Sequence, residues 1–86
     1  MSYTVQLAPA AKRQLRKLDR SIQERVVRRL DKLGQDPRPP GVEKLEGDES
    51  TYRIRIGEYR IVYDIHDKVL IVLVLKVGHR REIYRR

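Results

Sequence analysis

The feature that most constrains the fold is a change of hydropathy period at Thr51, where helical spacing gives way to alternation. TYRIRI (51–56), the dipeptide Gly57-Glu58 and YRIVYDI (59–65) follow one another without a break. Gly at the first central position between two alternating runs marks a two-residue hairpin turn, because the backbone twist that matches antiparallel strands needs a positive φ there. That turn fixes the register: Ile56 faces Tyr59, Arg55 faces Arg60 and Ile54 faces Ile61. Arg53, Arg55 and Arg60 then share one sheet face. Like charges directly opposite each other weaken a sheet, so stability alone does not select the Arg55/Arg60 pair. An anionic partner is expected on that face. The plainer reading is that the arginines extend to water over an exposed sheet, or pair with Glu58, Asp64 or Glu82.

After a second turn near Asp67-Lys68, VLIVLVLKV (69–77) is apolar at every position but Lys76, which predicts a central strand covered on each side. Gly78 is expected to end it, leaving HRREIYRR as a short final segment. Toward the other end, SYTVQL (2–7) alternates and predicts a strand with Tyr3, Val5 and Leu7 on one face. Pro9 suits a first helical turn, and Ala11, Leu15 and Leu18 keep helical spacing through residue 19. Ser21 with Glu24 forms a capping box for a second helix, whose buried stripe is Ile22, Val26, Leu30 and Leu33. Gly34, with Pro37, Pro39 and Pro40 beyond, is expected to end that helix. Val42–Leu45 reads as a short strand and Gly47–Ser50 as a turn. The two helices, joined by few residues, should pack antiparallel. The expected fold is α+β: an N-terminal strand and an antiparallel helical hairpin packed on an antiparallel sheet of three to four strands.

Length makes this one domain, residues 1–86, and a chain of this size buries only about 60–65% of its unfolded surface. With no Phe or Trp, the core must come from Leu, Ile, Val and Ala with a few Tyr bodies. The absence of Cys removes disulfides and thiolate zinc sites, and two histidines, His66 and His79, are too few for a His-rich metal site. A metal-free, cofactor-free protein is expected. No apolar run is long enough for a signal peptide or a bilayer span, so a soluble, cytoplasmic location without membrane contact is expected. The net charge of +8 attracts polyanions, and the cations are mostly Arg, whose planar fork grips phosphate at two points.

The outward helix faces carry Lys12, Arg13, Arg16, Lys17, Arg20, Arg25, Arg28, Arg29 and Lys32, which serve either as a solvated surface or as a stripe tracking phosphates. Arg80, Arg81 and Tyr84 follow the last strand and are placed to approach the arginine face. An aromatic ring among arginines suits a single-stranded nucleic acid, the ring stacking on a base while the guanidiniums hold phosphates. Tyr52, Tyr59 and Tyr63 sit at strand spacing and are expected in the core, and His66 is expected in a turn. No paired carboxylates and no Gly-rich phosphate loop are present.

Three stretches, APAAKRQLRKL, YRIRIGEYRIVYDI and VLKVGHRREIY, together resemble in order and spacing the RelE toxins of bacterial and archaeal toxin–antitoxin pairs, within the RelE/ParE superfamily. The resemblance spans nearly the whole chain. It implies a ribosome-dependent endoribonuclease that cuts messenger RNA in the decoding site of the small ribosomal subunit and is neutralised by a cognate antitoxin. The family's catalytic positions fall on Arg53, Arg55, Arg60 and Arg80, and its C-terminal tyrosine falls on Tyr84; Lys12, Arg13, Arg16, Lys17, Arg20 and Arg81 are expected to contact RNA and the ribosome. Most relatives carry lysine at one or both of the first two positions, whereas here both are arginine. Arginine neutralises a phosphate but is a poor base, which makes His79 a candidate acid or base. The competing expectations are a ParE-like toxin that inhibits DNA gyrase without nuclease activity, and a non-catalytic nucleic-acid-binding module.

Overall fold

The computed structural model describes residues 2–45, Gly47 and 50–83, with side chains in the last helix described as far as Arg81. The chain runs β1 (Thr4–Leu7), α1 (Pro9–Arg16), α2 (Arg20–Gln35), β2 (Glu43–Lys44), β3 (Thr51–Ile56), β4 (Tyr59–His66), β5 (Ile71–His79) and α3 (Arg80–Ile83). The strands form a single five-stranded sheet in the order β1-β5-β4-β3-β2. The expected α+β class holds, with one difference. The N-terminal strand joins the sheet as its edge, parallel to β5 with Thr4 beside Ile71 and Leu7 beside Val74, so the sheet is mixed. Alternation reveals which face a strand buries but neither its neighbour nor its direction.

The hairpin register is as the sequence predicts: Ile56 opposite Tyr59, Arg55 opposite Arg60, Ile54 opposite Ile61. Gly57 supplies the positive φ of the turn, at 57°. One sheet face is covered by the helices. Tyr52, Ile54, Ile56, Ile61, Tyr63 and Ile65 from the hairpin and Val72, Val74 and Val77 from β5 meet Ala11, Val26, Leu30 and Leu33 there. The opposite face is open.

β5 departs from its expected outline in three ways. It begins at Ile71, because Val69 and Leu70 lie in the turn after β4, Val69 being 62% exposed and Leu70 adopting φ 54°. It does not stop at Gly78, which pairs with Arg60 inside the strand. Nor is it covered on both sides: Val72, Val74 and Val77 are buried on the helix face, whereas Leu73 and Leu75 are only half-buried and Lys76 is exposed. Strict alternation from Val72 and Val74 would drive Lys76 into the core. A register shift between Val62 and Tyr63 inserts Leu75 as an extra residue, turning Lys76 outward and Val77 inward. Gln14 of α1 supports this bulge, its side-chain oxygen accepting the Val77 N–H at 2.8 Å.

The helix boundaries also differ from expectation. α2 starts at Arg20 with Asp19 at the N-cap, and no side chain caps it, so Ser21 and Glu24 lie inside the helix and form no capping box. The chain reaches helical geometry two residues early. Gly34 does not end α2 either. It is buried within it, where the helix crosses β1 so closely that an added Cβ would lie 3.1 Å from the Tyr3 carbonyl oxygen and 3.2 Å from Val5 Cγ2. Tyr3 N–H donates to the Gly34 carbonyl at 2.6 Å across this contact. Here glycine permits close approach and does no turning. Among the described residues no helix is long and apolar enough to cross a membrane.

Candidate functional site

On the open face of the hairpin, Arg55 and Arg60 stand directly opposite one another, and Arg53 lies one row inward, opposite Val62, which in turn pairs with Lys76. Arg55 is exposed and Arg60 half-buried. Opposite Arg60 on its other side is Gly78, which adds no side chain to that row. The structure thus gathers Arg53, Arg55 and Arg60 with Lys76 on one face, as the alternation of TYRIRI and YRIVYDI requires. Of the acidic partners expected in the plainer reading, Asp64 instead accepts the Thr51 hydroxyl, and Glu82 lies outside the described side chains. Arg53 is held by a carboxylate that the sequence did not suggest: Glu43 on the two-residue strand β2, 2.8 Å from its Nη2 and 3.2 Å from its Nε. A long connection separates the two in sequence, so only the sheet brings them together.

Arg80 opens α3 at the end of β5 and is tied to the hairpin turn twice. Its N–H donates to the Glu58 carbonyl at 2.8 Å, and its Nε lies 3.3 Å from Glu58 Oε1. Both side chains are about half exposed (49% and 56%), so the ion pair positions Arg80 more than it stabilises the fold. Arg81 is exposed one residue further along. Tyr84 lies outside the described residues.

The other candidates are elsewhere. His79 pairs with Tyr59 in the alternation that also places Val77 and Ile56 toward the helices, so it belongs to the opposite sheet face from the arginine row. Its ring meets the Tyr59 ring edge-on at 5.5 Å, and its Nδ1 accepts the Arg81 N–H at 3.2 Å. Adjacency to Arg80 in sequence suggested proximity, but successive strand residues point to opposite faces. Lys12, Arg13, Arg16, Lys17 and Arg20 are exposed on α1 and the start of α2, on the helix side.

Away from this face, a polar cluster fixes the connection between α2 and β2. Arg38 grips Asp67 with both terminal nitrogens (3.2 and 2.8 Å), donates from Nε to the Tyr52 hydroxyl at 3.2 Å and stacks over the Tyr52 ring at 5.3 Å. The Tyr3 hydroxyl donates to the same carboxylate at 2.6 Å. The hydrogen bond from Arg38, reinforced by the one from Tyr3, holds the Asp67 carboxyl down to about 2. The same contacts raise the Tyr3 phenol and the Arg38 guanidinium above their ordinary values. Tyr63, fully buried, stacks on Tyr52 at 6.1 Å and donates to the Pro37 carbonyl at 2.7 Å, and burial pushes its phenol well up. Tyr52 and Tyr63 are therefore core residues, as their spacing predicts. Among the described residues no group of three or more His, Asp or Glu could hold a metal ion.

Comparison with known proteins bears on this arrangement. The family model for the ParE toxin of the type II toxin–antitoxin system parDE matches residues 5–84. The chain is 37% identical over 87 aligned positions to toxin RelG of Mycobacterium tuberculosis, covering 100% of both. It is 31% identical to the mRNA interferase toxin RelE of Escherichia coli, covering 98% of this chain and 92% of the relative. Among solved structures, the toxin–antitoxin complex RelBE2 from Mycobacterium tuberculosis contains a chain that superposes with a TM-score of 0.82 at 34% identity, over 93% of each. This chain belongs to the RelE toxin family of the RelE/ParE toxin–antitoxin superfamily.

Proposed function

We propose that this protein is the toxin of a type II toxin–antitoxin pair and that it acts as a ribosome-dependent endoribonuclease on messenger RNA, with Arg53, Arg55, Arg60, Arg80 and Tyr84 at the site of cleavage. The observation that carries the reading is the Arg55/Arg60 pair with Arg53 beside it, a like-charged cluster that a sheet does not select for stability. A relative named as an mRNA interferase supports the activity, and the solved RelBE2 complex of a similar chain supports an antitoxin partner.

Cleavage by this route begins with attack of the ribose 2′-oxygen on the adjacent phosphorus. The 2′-oxygen to phosphorus bond forms and the bond from phosphorus to the 5′-oxygen breaks. The 2′-hydroxyl proton goes to a base, the departing 5′-oxygen takes a proton from an acid, and the products are a 2′,3′-cyclic phosphate and a 5′-hydroxyl. Arg55, Arg60 and Arg80 neutralise the crowded phosphate, worth roughly a hundred- to a thousandfold per well-placed donor. Guanidinium is too weak a base to take the first proton. His79, on the other sheet face, leaves the proton transfers to Tyr84 or to groups of the ribosome and the RNA. Acid–base help is worth about a hundred- to ten-thousandfold, so an all-arginine site is slower but not inert. Lys12, Arg13, Arg16, Lys17 and Arg20 serve as ribosome contacts in this reading, and Arg81 flanks the site.

The test is primer extension on messenger RNA in a purified translation system with an empty decoding site, comparing the protein with its Arg80→Ala and Tyr84→Phe variants. Codon-phased cuts that disappear in the variants support the assignment. Uncut message at high protein concentration refutes it. The second reading, inhibition of DNA gyrase, is favoured by the description of the matching family model as a ParE toxin. It predicts intact transcripts with loss of plasmid supercoiling in the presence of gyrase.

A further inference from the structure

The helix side of the hairpin tip holds a second group of cations. Arg25, Arg28, Arg29 and Lys32 of α2 line an open cleft whose floor is Ile56, and among the described residues no carboxylate lines it. At i, i+3, i+4 and i+7 the four occupy one stripe of the helix, a spacing at which like charges repel. None of them enters an ion pair among the described residues. Arg25 reaches the turn itself: the position a Cβ would take on Gly57 lies 3.2 Å from one of its terminal nitrogens. The next residue, Glu58, holds Arg80. One residue before Gly57 on the chain, Ile56 faces the cleft, and one further back Arg55 faces Arg60 on the open side. Cations therefore lie on both sides of the two-residue turn, in the α2 cleft and on the arginine row, and the one acid between them, Glu58, is paired to Arg80.

We propose that this cleft is a second phosphate-binding site, occupied by the same single-stranded RNA that lies on the arginine row, as its backbone passes round the hairpin tip. The proposal rests on the row being an RNA site. Three guanidiniums and an ammonium suit two successive phosphodiester groups, since each guanidinium offers a planar fork to a pair of phosphate oxygens. The apolar floor at Ile56 offers a surface to the intervening ribose. An RNA held on both faces of the hairpin tip cannot slide along the row, which fixes the phosphate to be cut.

The test uses fluorescence anisotropy with 2′-O-methyl RNA, which lacks the attacking hydroxyl, so that binding is read whether or not the protein cleaves. An oligomer of roughly 20 nucleotides spans both faces, whereas one of about six reaches the row alone. The Arg28→Ala/Lys32→Ala double variant is compared with Lys44→Ala/Lys68→Ala, which removes the same charge from exposed positions outside the cleft. The expected result is a loss of about tenfold in affinity for the long oligomer and a fall of about 1.4 in the log–log salt slope, at about 0.7 per phosphate on a single strand. The short oligomer should bind the cleft variant as it binds the parent protein, and the control pair should change the long oligomer's affinity less than about threefold. Equal losses in the cleft variant and the control would reduce the cleft to a share of the net charge and overturn the proposal. So would an unchanged salt slope. Failure of the row itself is read separately, as loss of short-oligomer binding in the parent protein.

Discussion

Replacing Arg55 by Glu should make the protein more stable and less active at once. Arg55 and Arg60 face each other across the β3–β4 ladder on the open side of the sheet. An opposite-charge pair in that position contributes about 0.2–1 kcal/mol, and a like-charge pair costs a similar amount. Converting one into the other is therefore worth roughly 0.4–2 kcal/mol, with about 1 kcal/mol as the central value. In a domain of this length 1 kcal/mol moves Tm by about 4–8 °C. Arg55→Gln removes the repulsion without adding attraction and should fall between the two. Thermal and urea unfolding followed by circular dichroism would order the three proteins Glu above Gln above Arg at low salt. At about 1 M salt, where the screening length is only about 3 Å, the order should collapse. Cleavage by the Glu variant should drop at least about a hundredfold, the value of one well-placed donor. A variant no more stable than the parent at low salt, or a gain that survives high salt, would refute the view that this pair is held against the fold's own preference.

Tyr63→Phe removes the hydroxyl that donates to the buried Pro37 carbonyl and should cost about 1–3 kcal/mol, read as a lower urea midpoint with an unchanged slope. Gly57→Ala places a methyl group 3.2 Å from an Arg25 nitrogen at a residue with φ 57°, so it should cost about 1–2 kcal/mol in melting experiments; an unchanged Tm would contradict the assignment of the turn. Because the Asp67 carboxyl is lowered from 3.8 to about 2 on folding, its contribution to stability is fully present above pH 4–5 and is lost as pH falls through about 2. The stability gap between the parent protein and Asp67→Asn should accordingly be constant near neutrality and close in acid; a gap unchanged at pH 2 would argue against the Arg38 and Tyr3 contacts. Leu33→Ala empties a fully buried position against the sheet and should cost about 2–5 kcal/mol.

Much of the candidate site was legible because a two-residue turn leaves a hairpin no freedom of register. Once Gly57-Glu58 was read as that turn, the shared face of Arg53, Arg55 and Arg60 followed from the period of a strand. The stripe of α2 was legible for the same reason, each buried residue falling at helical spacing. What escaped were facts about neighbours. The parallel partnership of β1 with β5, the hold of Glu43 on Arg53, and the grip of Arg38 on Asp67 join residues that are far apart in the chain, and no local pattern encodes them. The bulge at Leu75 was foreshadowed by Lys76 within an apolar run, a charge that strict alternation would have buried. Gly34 misled because glycine signals a helix end when the chain must turn and a close contact when another backbone approaches, and the two look alike in sequence. His79 misled because adjacency in a strand means opposite faces.

The parallel pairing of β1 with β5 also governs when the molecule can become complete during its own synthesis. Thr4 finds its partner in Ile71, so β1 must wait for β5, the last strand of the described sheet in chain order. Closing so long a loop is entropically expensive and tends to come late in folding. The hairpin that carries the arginine row can form as soon as β4 emerges, but the edge of the sheet beneath the helices stays open until β5 follows, and Arg80 is not docked on Glu58 until after that. A chain that folds from its N-terminal side therefore carries an assembled arginine row on an incomplete sheet until β5 joins β1.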